Sequence, residues 1–352
     1  MTEDDNRKYM ARCLQLAALG RGHVSPNPMV GAVVVWRGQV IGEGYHRKCG
    51  EAHAEVNAIA SVKDQSLLAE STIYVSLEPC SHYGKTPPCS KLIIEKRIPR
   101  VVVGIQDPFA AVAGRGIKML REAGIDVTVG VMEEECRALN RTFLTAQEKG
   151  RPYIILKWAQ SSDRFIDRQR TAGDGQAAAR ISDTTGQTAV HKLRAEVDAI
   201  MVGTRTALLD RPSLTVRHWE GRNPLRIVID RRLTLPADLP LFDGTVPTLV
   251  VTEADAPFEG KPNVSYITLP FDGAMLPTLL TYLAKERKVQ SLLVEGGAQL
   301  LESFLKADLW DEARVETGPQ MLGSGVPAPA IPAGETTVGR CGHSVVTTVH
   351  HN

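Results

Sequence analysis

The chain has 352 residues and a mass of 38.3 kDa, which predicts two domains of roughly 150 residues each. Its 41 basic and 40 acidic residues nearly cancel, and no run of like charge resembles a nucleic-acid arm, so we expect a small substrate and no nucleic-acid partner. No segment resembles a signal peptide or approaches the ~20 apolar residues of a membrane helix, so we expect no membrane partner and a cytoplasmic location.

The first part of the chain alternates helical and strand patterns. Apolar spacing near 3.6 residues predicts helices, and short runs rich in β-branched residues predict strands. The helices are expected at residues 8–19, 52–62, 88–96 and 117–123, and the strands at 30–36, 40–45, 72–77, 101–105 and 125–131. This alternation indicates a layered α/β domain, which we place at residues 1–147.

Polar residues at 145–152 predict a short linker, after which a second α/β domain covers residues 150–352. Strands are expected at 153–158, 199–203, 225–230, 248–252 and 291–294, and helices at 188–196 and 298–306. The Pro- and Gly-rich residues 325–334 predict a loop. Gly296 and Gly297 join a predicted strand to a helix, an arrangement equally typical of a pyrophosphate site and of a simple turn.

One imidazole and two thiols are arranged as in a catalytic zinc site. His53 opens a predicted helix, Cys80 follows a strand, and Cys89 begins the next helix. Three such ligands leave the fourth tetrahedral position for water, as in catalytic rather than structural zinc sites. Glu55, two positions after His53, is expected to move protons between that water and the departing ammonia.

The order His-x-Glu, strand, Pro-Cys is typical of zinc deaminases that act on nitrogen heterocycles. The usual Pro-Cys-x-x-Cys is altered here, because eight residues separate Cys80 from Cys89. Two alternatives stay open at this point. His82 or Cys49 could complete a four-ligand structural zinc site, or the cysteines could be unrelated and buried.

Residues 79–89, PCSHYGKTPPC, resemble the bifunctional deaminase/reductase family of riboflavin biosynthesis, as do residues 26–31 and 106–108. The resemblance implies a cytidine-deaminase-like α/β/α first domain that deaminates a diamino-pyrimidinone carrying a ribosylamino 5′-phosphate. It also implies that Asn27 and His46 contact the pyrimidine and ribose. Gly114 and Gly116 indicate either a turn or, more weakly, phosphate binding.

The second domain is similar to the reductase half of the same family at residues 157–161, 193–195, 209–217 and 294–297. The resemblance implies a dihydrofolate-reductase-like fold, with NADPH delivering hydride to C1 of the opened ribose. The implied cofactor contacts are Ala159, Thr206, Asp210 and Gly297. The implied substrate contacts are Lys157, Arg194, Leu214, Arg217 and Glu295, of which Arg194 and Arg217 suit a phosphate. We also expect a homo-oligomer.

Three arginines depart from the family pattern: Arg164 in place of glycine, Arg180 in place of tryptophan, and Arg211 in place of an acidic or amide residue. They leave a second hypothesis, a deaminase whose reductase half is inactive or repurposed. A third hypothesis, an enzyme that deaminates bases in nucleic acid, requires a basic groove that the balanced charge does not favour.

Overall fold

Two units, Met1–Gly150 and Arg151–Asn352, make up the chain. The computed structural model describes residues 2–81, 87–108, 113–255 and 261–351. Within these ranges, no helix combines the length and the apolar character needed to cross a membrane. Each unit has its own sheet and its own apolar cores.

The first unit contains a five-stranded sheet in the order β2-β1-β3-β4-β5. Strands β3, β4 and β5 are parallel, and β1 is antiparallel to both of its neighbours. Its strands are β1 (Gly31–Trp36), β2 (Gln39–Tyr45), β3 (Thr72–Leu77), β4 (Arg100–Ile105) and β5 (Asp126–Val129). Its helices are α1 (Glu3–Ala18), α2 (Ala54–Ser61), α3 (Cys89–Glu95), α4 (Arg115–Glu122), α5 (Glu133–Leu139) and α6 (Arg141–Lys149), with a 3-10 helix at Gln65–Glu70.

Apolar side chains cover both faces of this sheet. Helices α2, α3 and α4 contribute Ala58, Ile93 and Leu120 to the core on one face. Helices α1 and α5 contribute Met10 and Cys136 to the core on the other. The three layers confirm the α/β/α fold expected for the N-terminal domain.

Helix α2 lies directly against the backbone of β2. A Cβ atom at Gly44 would lie 2.3 Å from the amide nitrogen of Ala58, and one at Gly42 would lie 2.5 Å from its carbonyl oxygen. Such distances leave no room for a side chain. The two glycines therefore set how closely the helix approaches the sheet.

The second unit contains a nine-stranded sheet in the order β11-β10-β9-β8-β12-β6-β13-β16-β15. The strands of this unit are β6 (Tyr153–Gln160), β7 (Phe165–Asp167), β8 (Ala199–Gly203), β9 (Leu225–Ile229), β10 (Thr248–Thr252), β11 (Val264–Thr268), β12 (Ser291–Glu295), β13 (Glu312–Thr317), β14 (Val326–Pro327), β15 (Glu335–Cys341) and β16 (Ser344–His350). Of these, β7 and β14 form a separate two-stranded sheet. Its helices are α7 (Thr184–Glu196), α8 (Thr204–Asp210), α9 (Met275–Lys285) and α10 (Ala298–Lys306), with a 3-10 helix at Pro240–Phe242. The sheet is parallel from β11 to β13, and β16 and β15 form an antiparallel hairpin at its edge.

Helices cover both faces of this sheet as well. Leu279 of α9 and Leu301 of α10 pack on one face, and Leu193 of α7 and Ala207 of α8 pack on the other. The mainly parallel sheet between helices confirms the α/β class expected for the C-terminal domain. Because side chains alternate along a strand, Lys157 lies on the α7 and α8 face.

Two sequence predictions were wrong in detail. Residues 145–149 are not a linker, because α6 continues to Lys149 and buries Phe143 and Leu144 near its start. Residues 325–334 are not entirely loop, because β14 pairs with β7. The hairpin of β15 and β16 was not predicted either, since most of β15 is exposed and polar.

Arg226 on β9 is fully buried and joins several segments of the second unit. Its guanidinium donates hydrogen bonds to five acceptors: Thr248 Oγ1, Asp243 Oδ1 and the carbonyl oxygens of Ser213, Pro240 and Val246. A buried charge is tolerated when it is paired and hydrogen-bonded in this way. Arg226 thus holds the start of the 213–217 segment against the sheet.

We expect Arg226→Met to lower the free energy of unfolding by at least about 3 kcal/mol, because it leaves several acceptors without a donor at a cost of about 1–3 kcal/mol each. The matched control is Arg231→Met, which removes a half-exposed ion pair with Glu253 worth about 0–1 kcal/mol. Urea unfolding of the full chain measures both. Equal unfolding midpoints for the two variants would contradict the role given to Arg226.

Candidate active sites

His53, Cys80 and Cys89 come together at one end of the first unit. His53 precedes the first residue of α2, Cys89 is the first residue of α3, and Cys80 follows β3. The Nδ1 atom of His53 lies 3.6 Å from Cys80 Sγ and 3.5 Å from Cys89 Sγ. Their potential ligand atoms all lie within 4.8 Å of one another.

This donor set fits a zinc ion. One imidazole nitrogen and two sulfurs are ligands that zinc prefers, and three ligands leave one tetrahedral position open. Among the described residues, the potential metal group contains only these three side chains. Cys49 is exposed and is not part of the group, and His82 lies outside the described residues.

The surroundings of the two thiols favour negative charge at Cys80. Its pKa is lowered to about 4, chiefly by a hydrogen bond with the Cys89 side chain and also by His53. The backbone N–H of Cys89 also donates to Cys80 Sγ at 3.3 Å. The pKa of Cys89 is raised, because its thiol bonds to Cys80 and is buried. A thiolate at Cys80 is the form that ligates metal.

Glu55 lies in the first turn of α2 with only 3% of its surface exposed. Burial, with a further contribution from Cys80, raises the pKa of its carboxyl group to about 7. A group with such a pKa is readily found in either protonation state near neutral pH. It can therefore both accept and donate a proton beside the metal ligands.

Asn27 and His46 adjoin the metal ligands. The side-chain nitrogen of Asn27 lies 3.1 Å from His46 Nε2, and His46 Nδ1 lies 3.1 Å from the carbonyl oxygen of Ala52. The His46 ring packs edge-on against His53 with 5.4 Å between centroids. Burial lowers the pKa of His46, so its ring is neutral, with Nδ1–H assigned as donor to Ala52 and Nε2 as acceptor from Asn27.

Glu78, two residues before Cys80, was not singled out from the sequence. It is buried, and its carboxylate accepts hydrogen bonds from the backbone amides of Asp107, Gly114, Gly116 and Ile117 at 2.9–3.2 Å. Since Glu78 occupies these amides, they do not offer the phosphate site that the two glycines weakly suggested. The sequence signal that could have indicated this contact is an acidic residue just before the Pro-Cys motif together with a Gly-x-Gly later in the chain.

In the second unit, Arg194 and Glu295 form an ion pair in which each side chain is 12% exposed. Arg194 Nε and Nη2 donate to the two carboxylate oxygens at 3.0 and 2.6 Å, and Nη1 donates to the carbonyl oxygen of Thr215 at 3.3 Å. Burial would raise the pKa of Glu295, but the Arg194 charge outweighs it and the pKa is lowered. Most of the Arg194 donors are therefore engaged, which leaves little of its guanidinium for a phosphate.

Arg217 is the more accessible of the two predicted phosphate ligands. Its backbone N–H donates to His191 Nδ1 at 3.0 Å, and its guanidinium contacts the hydroxyls of Ser213 and Thr215. His191 has a pKa lowered to about 4, by burial and by the charges of Arg194 and Arg217. A neutral His191 can accept this bond and so hold the backbone at Arg217.

Leu214 and Lys157 complete the predicted substrate contacts. Leu214 is buried within the core on the α7 and α8 face and has a left-handed backbone. Lys157 lies 3.8 Å from a carboxylate oxygen of Glu316, a residue that nothing in the sequence pattern singles out. Lys157, Leu214 and Glu295, which are predicted to contact the substrate, thus lie on one face of the sheet.

The predicted cofactor residues Gly297 and Thr206 are in contact. A Cβ atom at Gly297 would lie 3.1 Å from Thr206 Oγ1, and one at Gly296 would lie 3.3 Å from Thr206 Cγ2. Both glycines have positive φ and lead into α10. This open backbone at a strand-to-helix turn fits the phosphates of NADPH.

The other two predicted cofactor residues, Asp210 and Ala159, lie elsewhere on the α7 and α8 face of the sheet. The carboxylate of Asp210, at the end of α8, forms an ion pair with Arg170. Ala159 lies on β6 beside Glu316 in the strand register. Asp210 therefore already has a cationic partner, while Ala159 offers only backbone and a methyl group.

The three arginines that depart from the family pattern are all exposed. Arg164 has a left-handed backbone, with φ of 64°, which explains the family's glycine there. Arg180 is exposed, and its carbonyl oxygen accepts a bond from Gln320. Arg211 forms a surface ion pair with Asp238.

Two family models match the chain. The cytidine and deoxycytidylate deaminase zinc-binding region matches residues 3–105, and the RibD C-terminal domain matches residues 152–342. The first covers the metal ligands, and the second covers the reductase-like unit to near its end.

Similar proteins align over nearly the whole chain. The riboflavin biosynthesis protein RibD of Bacillus amyloliquefaciens is 40% identical over 334 residues, covering 93% of this chain and 88% of the relative. That of Aquifex aeolicus is 39% identical over 329 residues, covering 93% and 90%. Among solved structures, Acinetobacter baumannii RibD superposes with a TM-score of 0.87 at 30% identity, covering 99% of both chains. A diaminohydroxyphosphoribosylaminopyrimidine deaminase/5-amino-6-(5-phosphoribosylamino)uracil reductase from Thermotoga maritima gives 0.86 at 35% identity, also covering 99% of both chains.

Relatives of this identity and coverage, together with a matched reductase domain over more than half of the residues and a His-Cys-Cys metal site in the deaminase unit, leave one assignment. The chain belongs to the RibD family of riboflavin biosynthesis proteins and joins a zinc-dependent deaminase to an NADPH-dependent reductase.

Proposed function

We propose that residues 1–147 deaminate 2,5-diamino-6-ribosylamino-4(3H)-pyrimidinone 5′-phosphate, and that residues 150–352 then reduce its ribosyl group to a ribityl chain. The observation that carries the proposal is the buried Glu55 beside the His53, Cys80 and Cys89 group. The two activities named for the T. maritima relative support the choice of substrate.

In the deamination, Glu55 is the proton carrier. His53, Cys80 and Cys89 would hold a zinc ion, which would supply Lewis-acid activation of a water molecule. Glu55 accepts a proton from this water as the oxygen adds to the ring carbon that bears the amino group. It then gives the proton to the amino group, which leaves as ammonia. Asn27 and His46 hold the pyrimidine and ribose beside it.

We expect Glu55→Gln to lower the deaminase kcat by roughly 100-fold to 10,000-fold, the usual contribution of a general acid–base group. The amide keeps the size of the side chain but cannot carry the proton. Zinc content, measured by metal analysis, should stay at the wild-type level, because Glu55 is not a ligand. Reduction of the deaminated substrate should also be unchanged.

Glu122→Gln is the matched control, because Glu122 is an exposed residue of α4 that forms an ion pair with Lys118. It should retain full deaminase activity. Retained turnover in Glu55→Gln, with zinc bound, would remove Glu55 from the mechanism.

In the reduction, the α7 and α8 face holds both reactants. When bound there, NADPH would supply a hydride to C1 of the open-chain ribose. Gly297, Thr206, Ala159 and Asp210 are proposed to hold the cofactor. Lys157, Glu295 and Leu214 are proposed to contact the substrate, with Arg194 keeping Glu295 ionised and Arg217 binding the 5′-phosphate.

We expect Arg217→Ala to raise the reductase KM for the deaminated pyrimidine by roughly 10-fold to 100-fold, since a hydrogen bond to a charged group contributes about 1.5–3 kcal/mol. The KM for NADPH and the deaminase activity should not change. Arg222→Ala, which removes a half-exposed arginine paired with Asp198, is the control and should leave both KM values near wild type. An unchanged substrate KM in Arg217→Ala would place the phosphate elsewhere.

A homo-oligomer is also proposed. Strand β15 lies at the edge of the nine-stranded sheet, and Val338 on it is 67% exposed. Val345, on β16 and on the same face as Val338, is 37% exposed. An exposed edge strand presents unpaired backbone groups with which another chain can pair, and the two valines would add an apolar contact to such pairing.

We expect Val338→Lys to weaken self-association by at least tenfold in analytical ultracentrifugation, because it would bury a charge at the contact. Thr337→Lys, on the opposite face of the same strand, is the control and should assemble as wild type does. A monomeric wild-type protein at micromolar concentration would end this proposal.

A cytoplasmic location is proposed on chemical grounds. Metal-binding thiols must stay reduced, and NADPH is an intracellular reductant, which together suit a reducing compartment. Recovery of the native protein mainly in a secreted or periplasmic fraction would contradict this.

A further inference from the structure

Three charged residues lie next to one another where three parallel strands end. Glu295 on β12 is in register with Lys157 on β6, and Glu316 on β13 is in register with Ala159, two residues further along β6. Residues of the other parity on these strands, such as Val294 and Val315, belong to the core on the α9 and α10 face. The three charged side chains therefore share the α7 and α8 face.

Glu316 is buried, with 4% of its surface exposed, and both of its carboxylate oxygens have partners. Oε2 lies 3.8 Å from Lys157 Nζ and accepts a hydrogen bond from Ser182 Oγ at 2.7 Å. Oε1 accepts a hydrogen bond from Ser344 Oγ at 3.0 Å. A carboxylate so deeply buried needs such partners, and here they fix its position relative to Lys157.

The same carboxylate anchors the segment that leads into α7. A Cβ atom at Gly186, in the first turn of α7, would lie 2.7 Å from Glu316 Oε1, so the helix packs directly on the carboxylate. The side-chain nitrogen of Gln320 donates to the carbonyl oxygens of Arg180 and Ile181 at 2.9 and 3.1 Å. Residues of β13 and the turn after it thus hold the Arg180–Ser182 segment from two sides.

We propose that Glu316 is a positioning residue of the reductase, which holds the Lys157 ammonium group toward the ribose of the substrate. This inference rests on the proposed function, in which Lys157 contacts the substrate. An ammonium group has three N–H donors. The ion pair with Glu316, at 3.8 Å, holds this group near β13 and leaves its N–H donors available to the substrate.

The test is a double-mutant cycle on the full-length, zinc-loaded protein, with the deaminated pyrimidine and NADPH as reactants. Glu316→Gln keeps the shape of the side chain but removes its charge, and should lower the reductase kcat/KM for the pyrimidine by about tenfold. The KM for NADPH and the deaminase activity should stay within about twofold of wild type. In a Lys157→Ala background, Glu316→Gln should cause no further loss, because the residue through which it acts is gone.

Glu312→Gln is the matched control, because Glu312 is also a buried carboxylate of β13 on the same face, four residues earlier. It contacts Tyr153 and Arg314 and should leave the pyrimidine kcat/KM unchanged. Glu316→Asp keeps the buried charge and should show the same pattern more weakly, which covers the case in which Glu316→Gln does not fold.

The outcomes distinguish a wrong role for Glu316 from a wrong substrate contact at Lys157. Full reductase activity in Lys157→Ala would remove Lys157 from the proposed substrate contacts. An impaired Lys157→Ala variant, to which Glu316→Gln adds an independent loss, would leave that contact in place and overturn the role of Glu316.

Discussion

The parallel pairing of neighbouring strands is the constraint on which both sites depend. Parallel strands end along one edge of a sheet, so the segments that follow them lie side by side even when they are far apart in the sequence. In the first unit, β3 and β4 bring Glu78 to the amide of Asp107. In the second, β12, β6 and β13 place Glu295, Lys157 and Glu316 in a row.

Burial favours the protonated form of the acids in both units, and their charged partners decide the direction in which the pKa finally moves. Glu55 is buried beside thiols, and its pKa rises to about 7, which suits a group that must gain and lose a proton. Glu295 is also buried, but the Arg194 charge lowers its pKa. It therefore stays ionised and can serve only as a fixed charge or a hydrogen-bond acceptor. Whether a buried acid carries a proton or stays ionised therefore depends on its charged neighbours and not on how deeply it is buried.

The motif residues could be predicted because their spacing carries chemistry. His53, Glu55, Cys80 and Cys89 were identified from sequence, and the structure places them together. Short runs of apolar and β-branched residues also predicted the buried strands β3, β8 and β10 with their observed bounds. The layered α/β class of each unit followed from the alternation of predicted helices and strands.

What could not be predicted depends on contacts distant in sequence. Glu316 meets Ser182 across 134 residues, and no local pattern records such a pair. The exposed strand β15 has mostly polar residues, so its pairing with β16 left no apolar signal. The charged and polar residues at 145–149 predict a linker, although Phe143 and Leu144 anchor the same helix in the core.

Gly42 and Gly44 control the position of two residues of the deaminase site although neither glycine belongs to that site. Helix α2 rests on the bare backbone of β2 at these positions, and His53 and Glu55 stand at the start of that helix. A methyl group at either glycine would act as a wedge that moves the imidazole and the carboxylate together, while Cys80 and Cys89 stay on other elements. Metal affinity and turnover would then fall in a variant whose ligands and proton carrier are all intact. The distances from His53 and Glu55 to the two cysteines thus depend in part on two residues that have no side chain.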